Sequence, residues 1–349
     1  MKLGLNLGYW GAGNDAENLA LAREADELGY SVVWAAEAYG SDAATVLTWI
    51  AAHTSRIDVG SAVFQIPGRT PANTAMTAAT LDTLSGGRFR LGLGVSGPQV
   101  SEGWHGVRFN KPLQRTREYV AIVRKALARE RVSFDGEFFT LPLPDGPGKA
   151  LTLTVHPVRE RIPIYVAAIG PKNLELTGEI ADGWLAIFYA PEFAADLLSS
   201  LSAGRAKAGL TMDGFDVVPT VPVVIGDDLQ ACADQVRPYC ALYIGGMGSR
   251  EQNFYNQLAC RMGYEDAATS IQEKYLAKDY LGAAQAVPID FIDRTALIGP
   301  RDRVRDRLAA YASSGVTTLT IATYAGSLDE RKTTLRNMME LLEESGHAS

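Results

Sequence analysis

The stretch from residue 57 to residue 97, IDVGSAVFQIPGRTPANTAMTAATLDTLSGGRFRLGLGVSG, decides the fold class. It begins with the apolar run Ile57–Phe64, continues through a helical segment that starts at Pro71, and ends with a second apolar run, Arg88–Val95. Two short apolar runs on either side of a helix predict a βαβ unit with parallel strands. Proline at the first helical position supports this assignment, because the amide it lacks would have no partner there.

The same alternation recurs along the whole chain. The predicted strands are Lys2–Gly8, Ser31–Glu37, Ile57–Phe64, Arg88–Val95, Pro163–Ala168, Gly183–Phe188, Phe215–Ile225 and Val316–Thr323. The predicted helices are Asn14–Leu28, Ala43–Thr54, Pro71 to about Leu84, Pro112–Arg129, one from Pro171, Pro191–Ala208, Pro300–Ala312 and Asp329–Glu344. Eight such repeats predict an α/β fold, a (β/α)8 TIM barrel, in which residues 1–349 form a single domain. The rival, a doubly wound open sheet, expects a G-x-G-x-x-G turn after strand one, and the run Gly8-Tyr9-Trp10-Gly11-Ala12-Gly13 lacks that spacing.

Two segments interrupt the repeat. Val132–Pro144 predicts a β-hairpin that turns at Asp135-Gly136, before strand five. Residues 226–298, after strand seven, are too long for one barrel helix and predict a helical insertion. Within it, the segment 245–255 follows a strand end on the catalytic face, so we expect it to cover a cofactor and shape the substrate site. A plain turn between two helices is an equally good reading of that segment.

Composition excludes several classes of function. A net charge of −7 argues against nucleic acid as a partner, and no apolar run is long enough for a membrane span. The odd number of cysteines, Cys232, Cys240 and Cys260, and the lack of a signal-peptide pattern favour a cytoplasmic protein with reduced thiols. The four histidines are scattered and show no metal-ligand spacing, so no metal site is expected.

The residues at the predicted strand ends are small, aromatic and apolar, which suits a planar ring system better than hydrolysis. Two of these ends predict anion cradles. Ser96-Gly97 offers a hydroxyl and an unobstructed backbone, and Gly170-Pro171-Lys172 begins a helix whose free amides favour an anion. The two ends belong to neighbouring strands, so the barrel predicts that they converge on one phosphate. If only one of these strand ends is considered, its Gly-Pro step is more simply interpreted as a turn that leads into a helix.

The run Thr80–Gly97 resembles the bacterial-luciferase-like superfamily, as do Tyr165–Lys172 and Ile180–Trp184. Within that superfamily the chain is most similar to the coenzyme F420-dependent branch, which is related to methylenetetrahydromethanopterin reductases. The resemblance implies a deazaflavin cofactor, with FMN as the alternative because both bind the same groove. It also implies a homodimer paired through helices near strands two to four.

The resemblance assigns roles to individual residues. It implies a non-prolyl cis peptide between Ala62 and Val63 behind the ring, and the cofactor phosphate between the two cradles. The cofactor-binding residues it implies are Gly8, Ala62, Val63, Ser96, Gly97, Ala168, Ile169, Gly170, Pro171 and Lys172. Glu37 matches an acidic residue near the polar edge of the ring, and Glu37 and Tyr39 are the candidate catalytic residues. The dehydrogenases of this branch have a catalytic histidine where this chain has Ala38, so a reductase is expected.

The leading hypothesis is therefore a cytoplasmic F420-dependent reductase that transfers hydride to a small-molecule substrate, with the protein supplying orientation and electrostatics. Two alternatives remain open. One is an FMN-dependent monooxygenase on the same scaffold. The other is a barrel that binds the coenzyme without catalysis.

Overall fold

A closed barrel of parallel strands forms the centre of the computed structural model, which describes residues 1–10, 15–324 and 326–349. The strands are β1 Lys2–Asn6, β2 Val32–Ala35, β3 Asp58–Ser61, β4 Phe64–Gln65, β5 Phe89–Gly94, β6 Phe134–Asp135, β7 Thr140–Leu141, β8 Ile164–Ala167, β9 Gly183–Ile187, β10 Asp216–Ile225, β11 Leu297–Gly299 and β12 Thr318–Thr323. Parallel pairing runs β1–β2–β3–β5–β8–β9–β10–β12 and returns to β1. The predicted (β/α)8 barrel is confirmed.

Helices surround the barrel. They are α1 Asp15–Leu28, α2 Ala43–Ala52, α3 Pro71–Ser85, α4 Pro98–Gly103, α5 Pro112–Leu127, α6 Pro171–Ile180, α7 Ala194–Lys207, α8 Leu229–Ala241, α9 Phe254–Arg261, α10 Glu265–Leu276, α11 Tyr280–Gln285, α12 Ile289–Thr295, α13 Arg301–Ser313 and α14 Leu328–Glu344. The predicted start of the first helix at Asn14 lies outside the described residues. The short helix α4, which follows β5, was not predicted.

Two further differences concern strands. The predicted third strand is divided into β3 and β4, which pair separately with β5. Strand β11 lies near the end of the segment 226–298 and pairs in parallel with Val223–Ile225 of β10, outside the barrel ring. The reading of that segment as wholly helical did not include β11. The hairpin is confirmed, since β6 and β7 pair antiparallel and the Gly136 amide donates to the Phe139 carbonyl at 3.0 Å.

The N-terminal end of the barrel interior is closed by a polar network. The Arg90 guanidinium donates to Asp58 at 2.7 Å and to the Ser31 hydroxyl at 2.8 Å, and it lies 3.3 Å from Asp216. The Tyr165 hydroxyl donates to the same Asp216 carboxylate at 3.0 Å. Above this network a buried apolar layer fills the barrel; it consists of Val32, Trp34, Leu185 and Val218. The interior is a packed core, which leaves the C-terminal ends of the strands as the place for a candidate site.

Candidate active site

A bulge between β3 and β4 forms one wall of the barrel mouth. The peptide bond between Ala62 and Val63 is cis, as the resemblance implied. Both side chains pack against the apolar layer inside the barrel. The Ser61 hydroxyl bridges the gap in strand pairing, because it donates to the Gly92 carbonyl at 2.8 Å and accepts from the Gly92 amide at 2.9 Å. A small, apolar floor of this kind lets a flat ring approach the backbone.

The first predicted cradle lies at the end of β5. Ser96 has a left-handed backbone with φ 62°, and Gly97 is the N-cap of α4 without any side chain capping that turn. A Cβ atom added at Gly97 would meet nothing within 4 Å. The Gln65 amide Nε2 donates to Ser96 Oγ at 3.0 Å, and His105 Nε2 lies 2.9 Å from Gln65 Oε1. Because the Ser96 oxygen already accepts this hydrogen bond, its own hydrogen is free for a ligand.

The second predicted cradle lies at the end of β8. Gly170 is the N-cap of α6, no side chain caps that helix, and a Cβ atom at Gly170 would also meet nothing within 4 Å. Lys172 is exposed in the first turn. Strands β5 and β8 pair directly, with Leu93 opposite Val166, so the structure brings the two cradles to neighbouring strand ends. Uncapped amides and the helix dipole favour an anion at this position.

Glu37 follows β2 and its carboxylate is held by protein groups. It accepts hydrogen bonds from the backbone amide of Ala43 at 3.1 Å and from the backbone amide of Gln65 at 3.2 Å. The Arg69 guanidinium lies 3.1 Å from the same carboxylate, and only 11% of the Glu37 side chain is exposed. The ion pair ties the end of β2 to the loop after β4. The contacts identify Glu37 as a positioning group, and its role at the ring or the substrate stays a prediction.

The remaining predicted residues lie around the rim. Tyr39 is 67% exposed, and no described residue hydrogen-bonds its hydroxyl. Gly8, at the end of β1, has φ 64° and open space where a Cβ would lie. Ala168 is buried and its carbonyl accepts from the Trp184 indole at 2.9 Å, while the Ile169 carbonyl accepts from Arg261 at 3.3 Å. Their contacts with a cofactor stay predictions.

The segment 245–255 lies across the barrel mouth. The Gln99 side chain of α4 donates to the Gly248 carbonyl at 3.1 Å, which joins the segment to the first cradle. At the other side, the Tyr255 ring lies 6.4 Å from the Phe188 ring, at the end of β9. Contacts with two separated strand ends support the expectation that the segment covers the site.

Several residues that shape the site were not predicted from the sequence. Two of them belong to no sequence motif. Arg69 pairs with Glu37, and His105 pairs with Gln65. Tyr239 and Tyr243 in the insertion were also missed, although their spacing of four residues puts them on one face of a helix. That spacing is the one signal that could have indicated an aromatic surface.

Across residues 1–10, 15–324 and 326–349, no group of three or more histidine, cysteine, aspartate or glutamate side chains is arranged to hold a metal ion. No helix in the same ranges combines the length and the apolar character needed to cross a bilayer.

Fold and site together define a TIM barrel whose apolar mouth and paired backbone cradles suit a flat ligand that carries an anionic group. The chain matches the family described as luciferase-like monooxygenase over residues 8–318, and it belongs to that family.

Several relatives are known. A protein of Mycobacterium tuberculosis, provisionally named coenzyme F420-dependent oxidoreductase Rv3520c, is 44% identical over 95% of this chain and 96% of its own. The 5,10-methylenetetrahydromethanopterin reductase of Archaeoglobus fulgidus is 30% identical over 84% of this chain and 85% of its own. Among solved structures, the coenzyme F420-dependent tetrahydromethanopterin reductase of Methanopyrus kandleri has a TM-score of 0.82 at 23% identity, covering 99% of this chain and 98% of that one. This last likeness concerns the fold.

Proposed function

We propose that the protein is a coenzyme F420-dependent oxidoreductase that acts as a reductase on a small organic substrate. The observation that carries the proposal is the pair of open, uncapped cradles on β5 and β8 beside the apolar Ala62–Val63 floor. The similarity to the mycobacterial relative over nearly the whole chain supports the same cofactor.

The residues present fit a deazaflavin. Ala62 and Val63 would lie behind the ring, and Ser96 with Gly97 would donate to the phosphate of the cofactor tail. The α6 N-terminus and the Lys172 ammonium would add favourable charge on the other side of that phosphate. When bound, the deazaflavin supplies a ring carbon that carries or accepts a hydride. The chain's own residues orient the ring and keep it against the strand ends.

The residues around the end of β2 support the proposed direction of reaction, reduction of the substrate. Ala38 offers no base, and the Glu37 carboxylate is engaged by Arg69 and two amides. Oxidation of an alcohol requires a group that removes the hydroxyl proton, whereas delivery of hydride to an electrophilic carbon does not. These contacts therefore favour reduction of the substrate.

Titration of the purified protein with oxidised F420 and with FMN tests the cofactor. We expect F420 to bind more tightly. Tight FMN binding without detectable F420 binding would overturn the proposal in favour of a monooxygenase. Reduced F420 that binds but is oxidised by no electrophile of a broad panel would instead indicate a barrel that binds without catalysis.

The cradles are tested with the double variant Lys172→Ala, Gly97→Val. We expect it to bind F420 at least tenfold more weakly, since it removes a charge and fills the open space at Gly97. The matched control is Lys149→Ala, at an exposed lysine in a loop that belongs to neither cradle. If the double variant keeps F420 affinity within twofold, the phosphate site is misplaced.

The protein is also proposed to be a homodimer that pairs through α2 and α3. Trp49 and Met76 on these helices are 52% and 55% exposed, and Leu84 is 61% exposed. Large apolar side chains left exposed on neighbouring helices are typical of an interface. The three free thiols, Cys232, Cys240 and Cys260, agree with a reducing, cytoplasmic location. Neither nucleic acid nor a membrane is proposed as a partner.

A further inference from the structure

Three tyrosines surround Phe188, and a fourth, Tyr324, packs against one of them; we call Tyr239, Tyr243, Tyr255 and Tyr324 the tyrosine cluster. The Phe188 ring lies 5.6 Å from the Tyr239 ring and 6.0 Å from the Tyr243 ring. Tyr243 lies 4.9 Å from Tyr255, and Tyr239 lies 5.8 Å from Tyr324. The rings meet edge to face or tilted, which is the favourable arrangement for aromatic contacts.

The cluster lies at the C-terminal end of the barrel. Phe188 directly follows β9, and Tyr324 directly follows β12. The other three tyrosines come from the insertion after β10, the strand between them. Around the barrel, this side is opposite the bulge after β3. A flat ligand on the bulge would therefore have the tyrosine cluster on the far side of the mouth.

The hydroxyls of the tyrosine cluster lack the protein partner that the buried tyrosines elsewhere in the fold have; among the described residues, the hydroxyls of Tyr9, Tyr39, Tyr275 and Tyr280 lack one as well. Six tyrosines away from this surface each hydrogen-bond a protein group; they are Tyr30, Tyr119, Tyr165, Tyr189, Tyr264 and Tyr311. In the described part of the chain, no protein group hydrogen-bonds a hydroxyl of the cluster, and each of its side chains is half-buried. Partly enclosed hydroxyls without protein partners are placed to bind a ligand.

Within the described residues, burial and neighbouring phenol or thiol groups account for the raised pKa values of the cluster, with no contribution from a charged side chain. Burial raises the pKa of Tyr255 to about 12, with a further contribution from Tyr9. Burial also raises the pKa of Tyr243, helped only by neighbouring tyrosines, and that of Tyr324, helped only by Cys240. The phenols are thus neutral hydrogen-bond donors at physiological pH. A charged ligand would lose its hydration here without gaining an ionic partner.

The cluster is held in a fixed arrangement. Asn253 is buried, and its side chain accepts from the Tyr255 amide at 2.9 Å while donating to the Tyr243 carbonyl at 3.1 Å. The turn after Tyr243 packs against the Tyr275 ring so closely that a Cβ atom at Gly246 would lie 2.3 Å from it. Rings that are ordered before binding lower the entropic cost of holding a ligand.

We propose that the tyrosine cluster is the substrate wall of the site, and that it takes an uncharged, flat, ring-bearing compound with a carbonyl oxygen. The rings stack on the faces or edges of the substrate, and one or more phenol hydroxyls donate to the carbonyl. The proposal rests on the proposed function, because it assigns the opposite wall to the cofactor.

Calorimetric titration, with and without saturating oxidised F420, tests this ligand chemistry. The probes are coumarin, which is flat and neutral with one carbonyl, and coumarin-3-carboxylate, which adds a charge to the same rings. We expect coumarin to bind and the carboxylate to bind at least tenfold more weakly. The triple variant Tyr239→Phe, Tyr243→Phe, Tyr255→Phe keeps the rings and should lower coumarin affinity about fivefold or more, the effect of losing a hydrogen bond.

The matched control is Tyr264→Phe, because the Tyr264 hydroxyl already donates to Asp290 at 2.5 Å; it should leave coumarin affinity unchanged. Thermal melting confirms that the variants are folded. Equal binding of both probes, or coumarin affinity that is unaffected by the triple variant, would overturn the inference. So would a matching loss of F420 affinity in that variant, since the cluster would then contact the cofactor. Failure of F420 to bind the unaltered protein, with coumarin binding intact, would instead contradict the proposed function alone.

Discussion

The Ser61 hydroxyl hydrogen-bonds both backbone groups of Gly92, donating to the carbonyl at 2.8 Å and accepting from the amide at 2.9 Å. A side chain thereby replaces the backbone pairing that is lost where the third strand is divided. Both partners are buried. The contact fixes the height of the Ala62–Val63 floor relative to β5, which also carries the first cradle.

Gly92→Ala should therefore be strongly destabilising. Its Cβ would lie 1.9 Å from the Ser61 carbonyl oxygen, so the backbone must move. We expect a loss of about 3 kcal/mol or more in the free energy of unfolding, measured in urea. Gly97→Ala is the matched control, because a Cβ there meets nothing and its φ of −120° suits any residue; its stability should change by less than about 1 kcal/mol. Similar stability for the two variants would show that the close approach at Gly92 is relieved at little cost.

The barrel was predictable because its signals are local. Each strand is an apolar run, and each helix has a nearby start or stop residue such as Pro71 or Gly86. Strand β11 was not predictable, since three residues become a strand only when β10 supplies the hydrogen bonds. A family pattern, and not the residues alone, indicated the cis peptide at Ala62–Val63.

The site was less predictable than the fold. The two cradles were found because a glycine at a strand end is visible in the sequence. The partners of Glu37 were not, because Arg69 reaches it only after the chain has passed through β3 and β4. The tyrosine cluster depends in the same way on Tyr324, which meets Tyr239 only after the chain passes through β11 and β12. Contacts between distant residues require the tertiary structure.

Glu37→Gln should destabilise the protein by about 2 kcal/mol. The Arg69 guanidinium is only 15% exposed, and the substitution removes the more buried of its two carboxylate partners. Asp42→Asn is the matched control on the same arginine. Its side chain is 49% exposed and asparagine caps a helix as well as aspartate, so the loss should stay below about 1 kcal/mol. Urea unfolding of both variants checks the ranking. An equal loss of stability in both variants would show that Asp42 stabilises Arg69 as much as Glu37 does.

Asn253→Ala should loosen the segment 245–255 without unfolding the barrel. Its side chain makes four hydrogen bonds to the backbone, two as acceptor and two as donor. Hydrogen exchange should become at least tenfold faster in this segment, while the exchange of β1 and β12 stays unchanged. Asn256→Ala is a comparison variant nearby, since it removes two donated bonds to the backbone and one long bond accepted from the Cys260 thiol. Unchanged exchange in the segment would show that Asn253 does not hold the tyrosine cluster in place.

The proposed interface on α2 and α3 has a testable effect on assembly. Met76→Glu puts a charge on a surface that the homodimer would bury, and sedimentation should show a monomer at concentrations where the unaltered protein is dimeric. Leu281→Glu, on α11, is the matched control, because that side chain is 72% exposed and lies on another part of the chain. A protein that is monomeric before any substitution, or a dimer that survives Met76→Glu, would contradict the proposed interface.

The Asp26 carboxylate should account for part of the stability that the fold loses at acidic pH. Burial acts to raise the pKa of its carboxyl, but hydrogen bonds from the amides of Ser55, Ile57 and Arg56 outweigh burial and lower the pKa below its ordinary value. The folded protein therefore binds this proton more weakly than the unfolded chain does. The resulting stability is fully present above the unfolded pKa of about 3.9 and is lost as the pH falls through the lower, folded pKa.

Asp26→Asn should consequently be destabilising at pH 7 and much less so at pH 3, when urea unfolding is compared with that of the unaltered protein at both values. Asparagine keeps one acceptor oxygen but cannot satisfy all three amides of the loop. Asp145→Asn, at an exposed position in the loop after the hairpin, is the matched control and should differ little from the unaltered protein at either pH. A loss for Asp26→Asn that is the same at pH 7 and pH 3 would show that the carboxylate contributes through its shape and not through its charge.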